Sequence, residues 1–239
     1  MATDPPSRPT LSLVPRDART FFYAGRAGQA AGPLLVLGSA TGHLVCELAQ
    51  AGFTVTGVEP SELLMGQAVA ARASRPHEVA SRITWVQADL RSVRLGATFP
   101  LVLAPQSAFG ALGSPEDLDD LLATVGSHLA PEGAFVFDVA LPPRGPALHD
   151  PEPTSAGRPA PLPSPGRAHF VPHLRERRRG VEKRDLSGLH RLRLRQFTPD
   201  ELEQALGGAG LQALERYGNF DGKPFDSGDP LMVVVASPV

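Results

Sequence analysis

The sequence of 239 residues has little of what marks secreted, membrane or nucleic-acid-binding proteins. Its single cysteine, Cys46, cannot form an internal disulfide, which favours a reducing compartment and predicts a cytoplasmic protein. No apolar run approaches the roughly 20 residues that a membrane-spanning helix needs, so no membrane partner is expected. The net charge of −2 gives no support for a nucleic-acid partner.

The chain is also short for two domains, and we interpret it as one elaborated domain. The first residues, MATDPPSRPTLSL, have no basic region followed by an apolar core, so residues 1–15 are expected to be a disordered lead-in. Residues 16–239 are expected to form a single domain. Within it, the Pro- and Arg-rich stretch 141–197 is interpreted as an insertion that caps the sheet edge.

From Leu34 onward, short apolar segments alternate with helical patterns, which is typical of parallel βαβ units. The five segments are LLVL (34–37), FTVTGV (53–58), ITWVQA (83–88), LVLA (101–104) and AFVFDV (134–139). Two further strand-like runs, LQALERYGNF and LMVVVAS, have no helix between them and should pair antiparallel. The sequence therefore predicts an α/β fold with a doubly wound, Rossmann-like, seven-stranded sheet. Five parallel strands are closed by an antiparallel terminal pair.

Several helix boundaries are marked by capping residues. Ser61, Ser114 and Thr198 each precede a helical pattern and can accept a hydrogen bond from an otherwise unpaired backbone amide. Thr198 is followed by a glutamate at the position that completes a capping box. Pro131 and Gly133 are expected to end the helix that Ser114 begins.

The stretch PLLVLGSATGHL predicts a cofactor-binding loop after the first strand, because ligands of open α/β sheets lie beyond the carboxyl ends of the strands. Gly38 and Gly42 permit close backbone approach. A P-loop is excluded, since His43 and Leu44 stand where it needs Lys and Ser or Thr. A dinucleotide loop fits poorly, because Ala40 and His43 occupy its second and third glycine positions.

The third alternative is a loop around the amino-acid end of S-adenosyl-L-methionine, which carries no phosphate, and it is supported by a resemblance. LVLGSATGHLVCELAQAGFTVTGVEPSELLMGQA closely resembles the first two motifs of class I S-adenosylmethionine-dependent methyltransferases. RITWVQADLRSV resembles the third motif, and FPLVLAPQSAFGAL with HLAPEGAFVFDVALP resembles the remainder. The resemblance covers most of residues 34–140 and resumes at QFTPDELEQALGGAGL through the terminal hairpin. It depends on the order and spacing of several motifs.

The resemblance implies where the cofactor, and its product S-adenosyl-L-homocysteine, would be held. The first loop would surround the methionine end through Gly38, Ser39, Ala40 and Gly42. Glu59, 17 residues after Gly42 and followed by Pro60, would accept hydrogen bonds from the ribose hydroxyls.

Four more residues complete the implied site. Asp89 and the Leu90 amide would hold the adenine, and Gln106 would lie where the methionine amine and the substrate meet. Tyr23 would belong to an N-terminal helix that covers the cofactor. Helix capping is the alternative role for Glu59 and Asp89, and aromatic packing is the alternative for Tyr23.

Three positions depart from the pattern of the family. Val36 stands where the family usually has an acid, two residues before the first loop glycine, and Pro100 replaces an acid before the fourth strand. Val36 removes a negative group that would help orient the loop or the ammonium of the cofactor. Ala40 replaces the middle glycine, at a cost of about 1 kcal/mol if a positive φ is required. A catalytically impaired relative that serves as a partner or regulator is therefore an alternative.

The resemblance implies methyl transfer to O or N of a small molecule by in-line displacement, without a metal. His190, in the predicted cap strand, is the candidate general base. A tRNA or protein methyltransferase is an alternative that only the arginines at 175, 177 and 178 support, and nucleic acid is not the expected partner. A nicotinamide oxidoreductase is disfavoured by His43. Tyr217 and Asn219 are assigned to structure, on the side of the sheet opposite the cofactor loop.

Overall fold

A seven-stranded sheet runs through the residues that the computed structural model describes, 17–142 and 196–239. In chain order its strands are β1 (Leu34–Leu37), β2 (Val55–Val58), β3 (Ile83–Val86), β4 (Phe99–Ala104), β5 (Leu129–Ala140), β6 (Leu211–Tyr217) and β7 (Leu231–Pro238). They lie in the order β3-β2-β1-β4-β5-β7-β6, and β1 to β5 pair in parallel. β7 is antiparallel to both β5 and β6, which confirms the predicted fold class.

Helices cover both faces of this sheet. They are α1 (Ala18–Ala27), α2 (His43–Gln50), α3 (Glu62–Ala73), α4 (His77–Ala80), α5 (Gln106–Phe109), α6 (Pro115–His128) and α7 (Pro199–Gly208). Alternate residues of a strand point to opposite faces, and β1 shows this directly. Leu35 and Leu37 belong to the apolar cluster that includes residues of α6 and α7, whereas Leu34 and Val36 belong to the cluster that includes residues of α1 and α2.

The predicted helix starts are confirmed. The side chain of Ser61 accepts from the backbone amide of Leu64, and that of Ser114 accepts from the amide of Asp117. Thr198 and Glu201 form the complete capping box at the start of α7. These caps satisfy amides that have no partner within their own helix.

The predicted end of α6 is wrong. The helix ends at His128, before Pro131, because the buried His128 ring fixes its last turn: Nε2 accepts from the amide of Leu95 at 2.9 Å, and Nδ1 lies 2.8 Å from the Thr124 carbonyl. Leu129 is already extended and pairs with Phe99 in the sheet. Pro131 therefore lies within β5, beside the register shift that separates the first β4–β5 pair from the others.

The position expected for the end of β6 is also wrong. Because β7 lies between β5 and β6 and is antiparallel to both, β6 runs in the direction of β5. Tyr217 thus lies at the edge of the sheet where the cofactor loop lies, not at the opposite one. Its structural role is as expected. The Arg26 guanidinium donates to both carboxylate oxygens of Glu215 and to the Tyr217 hydroxyl, and this hydroxyl donates to Glu215. Asn219 accepts two backbone hydrogen bonds in the following turn.

Several expectations concern residues outside those that the structure describes. They are the lead-in 1–15, His190, the three arginines near 177, and all but the two ends of the insertion 141–197. The ends are part of the core, since Leu141 and Phe197 are buried in the cluster that includes α6 and α7. Among the helices of the described ranges, none is both long and apolar enough to cross a membrane.

The Arg26–Glu215 ion pair, which connects α1 to β6, predicts how the stability of the fold changes at acidic pH. Hydrogen bonding from Arg26 outweighs partial burial and lowers the pKa of Glu215 below 4.5. A lowered folded-state pKa gives stability that is present above the unfolded pKa and is lost as pH falls. We expect the unfolding free energy of Glu215→Gln to fall less steeply than that of the wild type from about pH 5 to about pH 3. Urea titrations at each pH measure the unfolding free energy of both proteins.

The matched control is Glu132→Gln, at an exposed position of β5. It should keep the slope of the wild type. Equal slopes for all three proteins would show that the ion pair contributes no pH-dependent stability.

Candidate active site

The loop between β1 and α2 has a left-handed backbone at alternate residues. The φ angles are 73° at Gly38, 49° at Ala40 and 80° at Gly42. Within the described ranges, Ala40 is the only residue other than glycine with a positive φ. Ala40 therefore has a left-handed conformation that glycine adopts without steric cost, and its methyl group is accommodated at a strain of about 1 kcal/mol.

The two loop glycines are required by close contacts within the protein. A Cβ at Gly38 would lie 2.8 Å from the backbone nitrogen and Cα of Ala108 in α5. A Cβ at Gly42 would lie 2.8 Å from the end of the Trp85 indole, which reaches over from β3. Neither neighbour can move away cheaply, because one is backbone and the other is a large ring packed in the apolar cluster around α1 and α2.

Glu59 connects the loop to the end of β2. Its side chain is buried, with 5% of the residue exposed. One carboxylate oxygen accepts from the amide of Ala40 at 2.8 Å, and the other accepts from the amide of Ser61 at 3.0 Å. Each carboxylate oxygen offers two acceptor positions, so one position on each is still open for a ligand hydroxyl.

A cavity of about 340 Å³ lies over this loop. Its walls come from the first turn of α1, from the loop and the start of α2, and from the residues around the start of α5. Gly38, Ser39 and Ala40 of the loop line it, Gly42 does not, and Val36 forms part of the wall. This cavity lies at the carboxyl ends of β1 and β4, which is where open α/β sheets bind ligands.

Three charged or ionisable side chains stand in the cavity wall: Asp17, Arg19 and His43. Asp17 caps α1 by accepting from the amide and hydroxyl of Thr20. Partial burial works against ionisation of Asp17, but the two hydrogen bonds from Thr20 outweigh it and lower its pKa. Arg19 lies 3.2 Å from a carboxylate oxygen of Asp138 and donates to the side-chain oxygen of Gln106 at 3.1 Å.

Tyr23 does not line the cavity, so the structure does not place it over a cofactor. Its ring is fully buried, and its hydroxyl donates to Asp138 at 2.6 Å. Burial raises the pKa of both side chains, and for Asp138 the charge of Arg19 works in the opposite direction. Tyr23 therefore anchors α1 to the carboxyl end of β5, which is the packing alternative.

The other predicted residues lie at the expected strand ends with definite partners. Asp89 follows β3, and hydrogen bonds from Arg91 lower its pKa. Leu90 is buried in the core. Gln106 is the first residue of α5, and Pro60 lies between Glu59 and the cap of α3. The structure thus joins the loop and Glu59 by a direct hydrogen bond, and places Asp89 after β3 and Gln106 after β4, two strands that β2 and β1 separate in the sheet.

Sequence reasoning missed Asp17, Arg19, Trp85 and Asp138. Asp17 had a local signal, since an Asp three residues before Thr20 marks a helix start. Trp85 and Asp138 had no local signal in the sequence, because the residues that they contact, Gly42 and Tyr23, lie in distant parts of the chain. Within the described ranges, no group of three His, Cys, Asp or Glu side chains could hold a metal ion.

Comparisons with known proteins agree with this fold and site. Residues 35–135 match the sequence profile of a family described as "Methyltransferase domain". No curated protein sequence matches the chain.

Solved structures resemble the whole chain at low sequence identity. The CcbJ methyltransferase of Streptomyces caelestis is 23% identical, the match covers 97% of this chain and 93% of that one, and the TM-score is 0.68. The glycopeptide N-methyltransferase MtfA, complexed with S-adenosyl-L-methionine, is 23% identical, with 93% of each chain covered and a TM-score of 0.61. A TehB-like methyltransferase of Corynebacterium glutamicum is 16% identical, with 94% and 89% covered and a TM-score of 0.63.

The profile match covers the loop and Glu59, and it runs from β1 into the first part of β5 in the order that the fold requires. Residues 35–135 are thus similar to a methyltransferase domain, and the likeness to the solved structures shows the fold.

The residues at and beside the cavity fit S-adenosyl-L-methionine. The hydroxyl oxygen of Ser39 is buried without a hydrogen-bond partner, in a loop that lines the cavity. The walls carry opposite charges at Asp17 and Arg19, and Glu59, which is bonded to the lining residue Ala40 but is not itself in the lining, has open acceptor positions. A cofactor with a zwitterionic amino-acid end and a ribose needs such groups, whereas the pyrophosphate of a dinucleotide needs a cradle of backbone amides.

The positive φ of Ala40 predicts how its replacement changes the unfolding free energy. Replacing Ala40 by Gly should raise the unfolding free energy by about 1 kcal/mol, because Gly adopts a positive φ without steric cost. Ala70→Gly, the same change at an exposed site in α3, should lower it by about 1 kcal/mol. Urea denaturation measures both, and a loss of stability in Ala40→Gly would contradict the strain.

Proposed function

We propose that this enzyme transfers a methyl group from S-adenosyl-L-methionine to an oxygen or nitrogen of a small molecule by in-line displacement. The observation that carries the proposal is the loop Gly38–Gly42, held to Glu59 by a hydrogen bond, beside a cavity at the carboxyl ends of β1 and β4.

The proposed cofactor contacts follow the order of the strands. The loop holds the methionine end, with the unpaired hydroxyl of Ser39 available to it. Glu59 and the adjacent Pro60 hold the ribose, through the acceptor positions that Ala40 and Ser61 leave open. Asp89 and Leu90, after β3, hold the adenine. Gln106 lies at the boundary between cofactor and acceptor.

The net charge of −2 favours a small acceptor over a nucleic acid. One of the structural neighbours is a glycopeptide N-methyltransferase, which supports nitrogen as an acceptor atom.

The methyl transfer requires few catalytic groups from the protein. The bound cofactor supplies an electrophilic methyl group, so the chain has to align an acceptor lone pair with it and exclude water. Arg19 and Gln106, joined by a hydrogen bond at the start of α5, are placed to orient a polar acceptor. His190, the candidate base for an acceptor that must lose a proton, lies outside the described residues.

Calorimetric titration with S-adenosyl-L-homocysteine tests the cofactor site. The wild type should bind with a micromolar dissociation constant, which corresponds to about −8 kcal/mol. Glu59→Gln should bind about tenfold or more weakly, because its amide keeps one acceptor oxygen and turns an N–H donor toward either the Ala40 or the Ser61 amide. Glu59→Ala is less informative, since it also removes the bonds to Ala40 and Ser61.

Glu78→Gln, at an exposed position of α4, is the matched control and should bind as the wild type does. Equal affinity for Glu59→Gln and the wild type would contradict the proposed ribose contact. NAD should not bind.

The acceptor class is tested with methyl-labelled S-adenosyl-L-methionine and a panel of small amines and alcohols. Label in a small-molecule product supports the proposal. Label that appears in added tRNA or protein, and in none of the small acceptors, would favour the macromolecular alternative.

A further inference from the structure

The stretch of β1 that lines the cavity carries no acid. Val36, where the resemblance leads us to expect an acid, is fully buried and lines the cavity with its apolar side chain. The α-ammonium of the cofactor carries a full positive charge, and burying it without an anionic or hydrogen-bonding partner is costly. Strand β1 offers no carboxylate to it, so another element has to supply the partner.

Asp17 lines the same cavity, at the start of α1. Its carboxylate is positioned before any ligand binds, because one oxygen accepts from the Thr20 amide at 2.8 Å and the other from the Thr20 hydroxyl at 3.0 Å. An ionised carboxylate has about four acceptor positions, so about two are open. The side chain is 48% exposed and can therefore be reached from the cavity.

No other side chain that the structure describes in the cavity wall is anionic, and the unpartnered hydroxyl of Ser39 carries no charge. Arg19 is cationic and is paired with the buried Asp138. The side-chain oxygen of Gln106 accepts from Arg19. His43 Nε2 is 3.8 Å from Asp17, which is beyond hydrogen-bond distance. Among the described residues that line the cavity, Asp17 is the only carboxylate.

We infer that Asp17 is the anionic partner of the cofactor's α-ammonium, in place of the acid that is missing at Val36. This inference rests on the proposed placement of the methionine end over the loop. The anionic side chain that pairs with the ammonium then lies at the start of α1 and not in the sheet, so α1 is part of the cofactor site as well as part of the core. Cofactor binding should then also tighten the contact of α1 with the loop.

The test compares two ligands that differ only at the amino-acid end. S-Adenosyl-L-homocysteine has the ammonium and the carboxylate, whereas 5′-methylthioadenosine has neither. Asp17→Asn removes the charge and keeps a good helix cap, so the fold should be preserved. We expect Asp17→Asn to bind S-adenosyl-L-homocysteine about tenfold more weakly, as for loss of a charged hydrogen bond, and 5′-methylthioadenosine as tightly as the wild type.

Asp200→Asn makes the same change at an exposed position in the first turn of α7 and should leave both affinities unchanged. Unchanged affinity of Asp17→Asn for S-adenosyl-L-homocysteine would overturn the inference and leave the proposed function standing. An equal loss for both ligands would also overturn it, since the effect would not arise at the ammonium. A wild type that binds neither ligand would overturn the proposed function and this inference with it.

Discussion

The carboxylate of Glu59 is the interaction on which the site depends. It is almost fully buried, and its two oxygens join the loop after β1 to the start of α3 after β2 through backbone amides. A buried carboxylate has to be hydrogen-bonded, and here its partners are backbone groups whose positions set the path of the loop. The left-handed residues Gly38, Ala40 and Gly42 then turn the chain away from the sheet and leave the cavity over β1 and β4.

A second constraint places the wall opposite the loop. Asp138 is fully buried at the carboxyl end of β5, and Tyr23 and Arg19 of α1 are its side-chain partners. A buried charge left without partners would cost several kcal/mol, so these contacts fix where α1 can lie on the sheet. The same helix is tied to β6 through Arg26 and Glu215. The groups that α1 presents to the cavity are therefore positioned by contacts elsewhere along the helix.

Local patterns were enough to predict the sheet, the caps and the loop. Alternating apolar segments indicated the strands, and Ser61, Ser114 and Thr198 marked helix starts, because each signal acts within a few residues. Whether Ala40 needs a positive φ was left open by the sequence, and the structure shows that it has one. The spacing from Gly42 to Glu59 indicated a carboxylate at the end of β2, because the βα unit between them has a characteristic length.

The features that escaped prediction depend on distant parts of the chain. Tyr23 and Asp138 are 115 residues apart, and neither carries a local sign of the other. Sequence order does not reveal that β7 inserts between β5 and β6, so the edge to which Tyr217 belongs was assigned wrongly. The early end of α6 depends on the burial of His128, which its neighbours in sequence do not indicate.

In the proposed cofactor site, the loop, Glu59 and the first turn of α1 act together. A crystal structure of the protein with S-adenosyl-L-homocysteine is the most direct test of this arrangement. The amino-acid end of the ligand should lie between the loop and Asp17, with the ribose hydroxyls at Glu59. Density for the ligand elsewhere, for example in the second cavity of about 460 Å³ that Phe22, Tyr217 and Phe220 line, would contradict it.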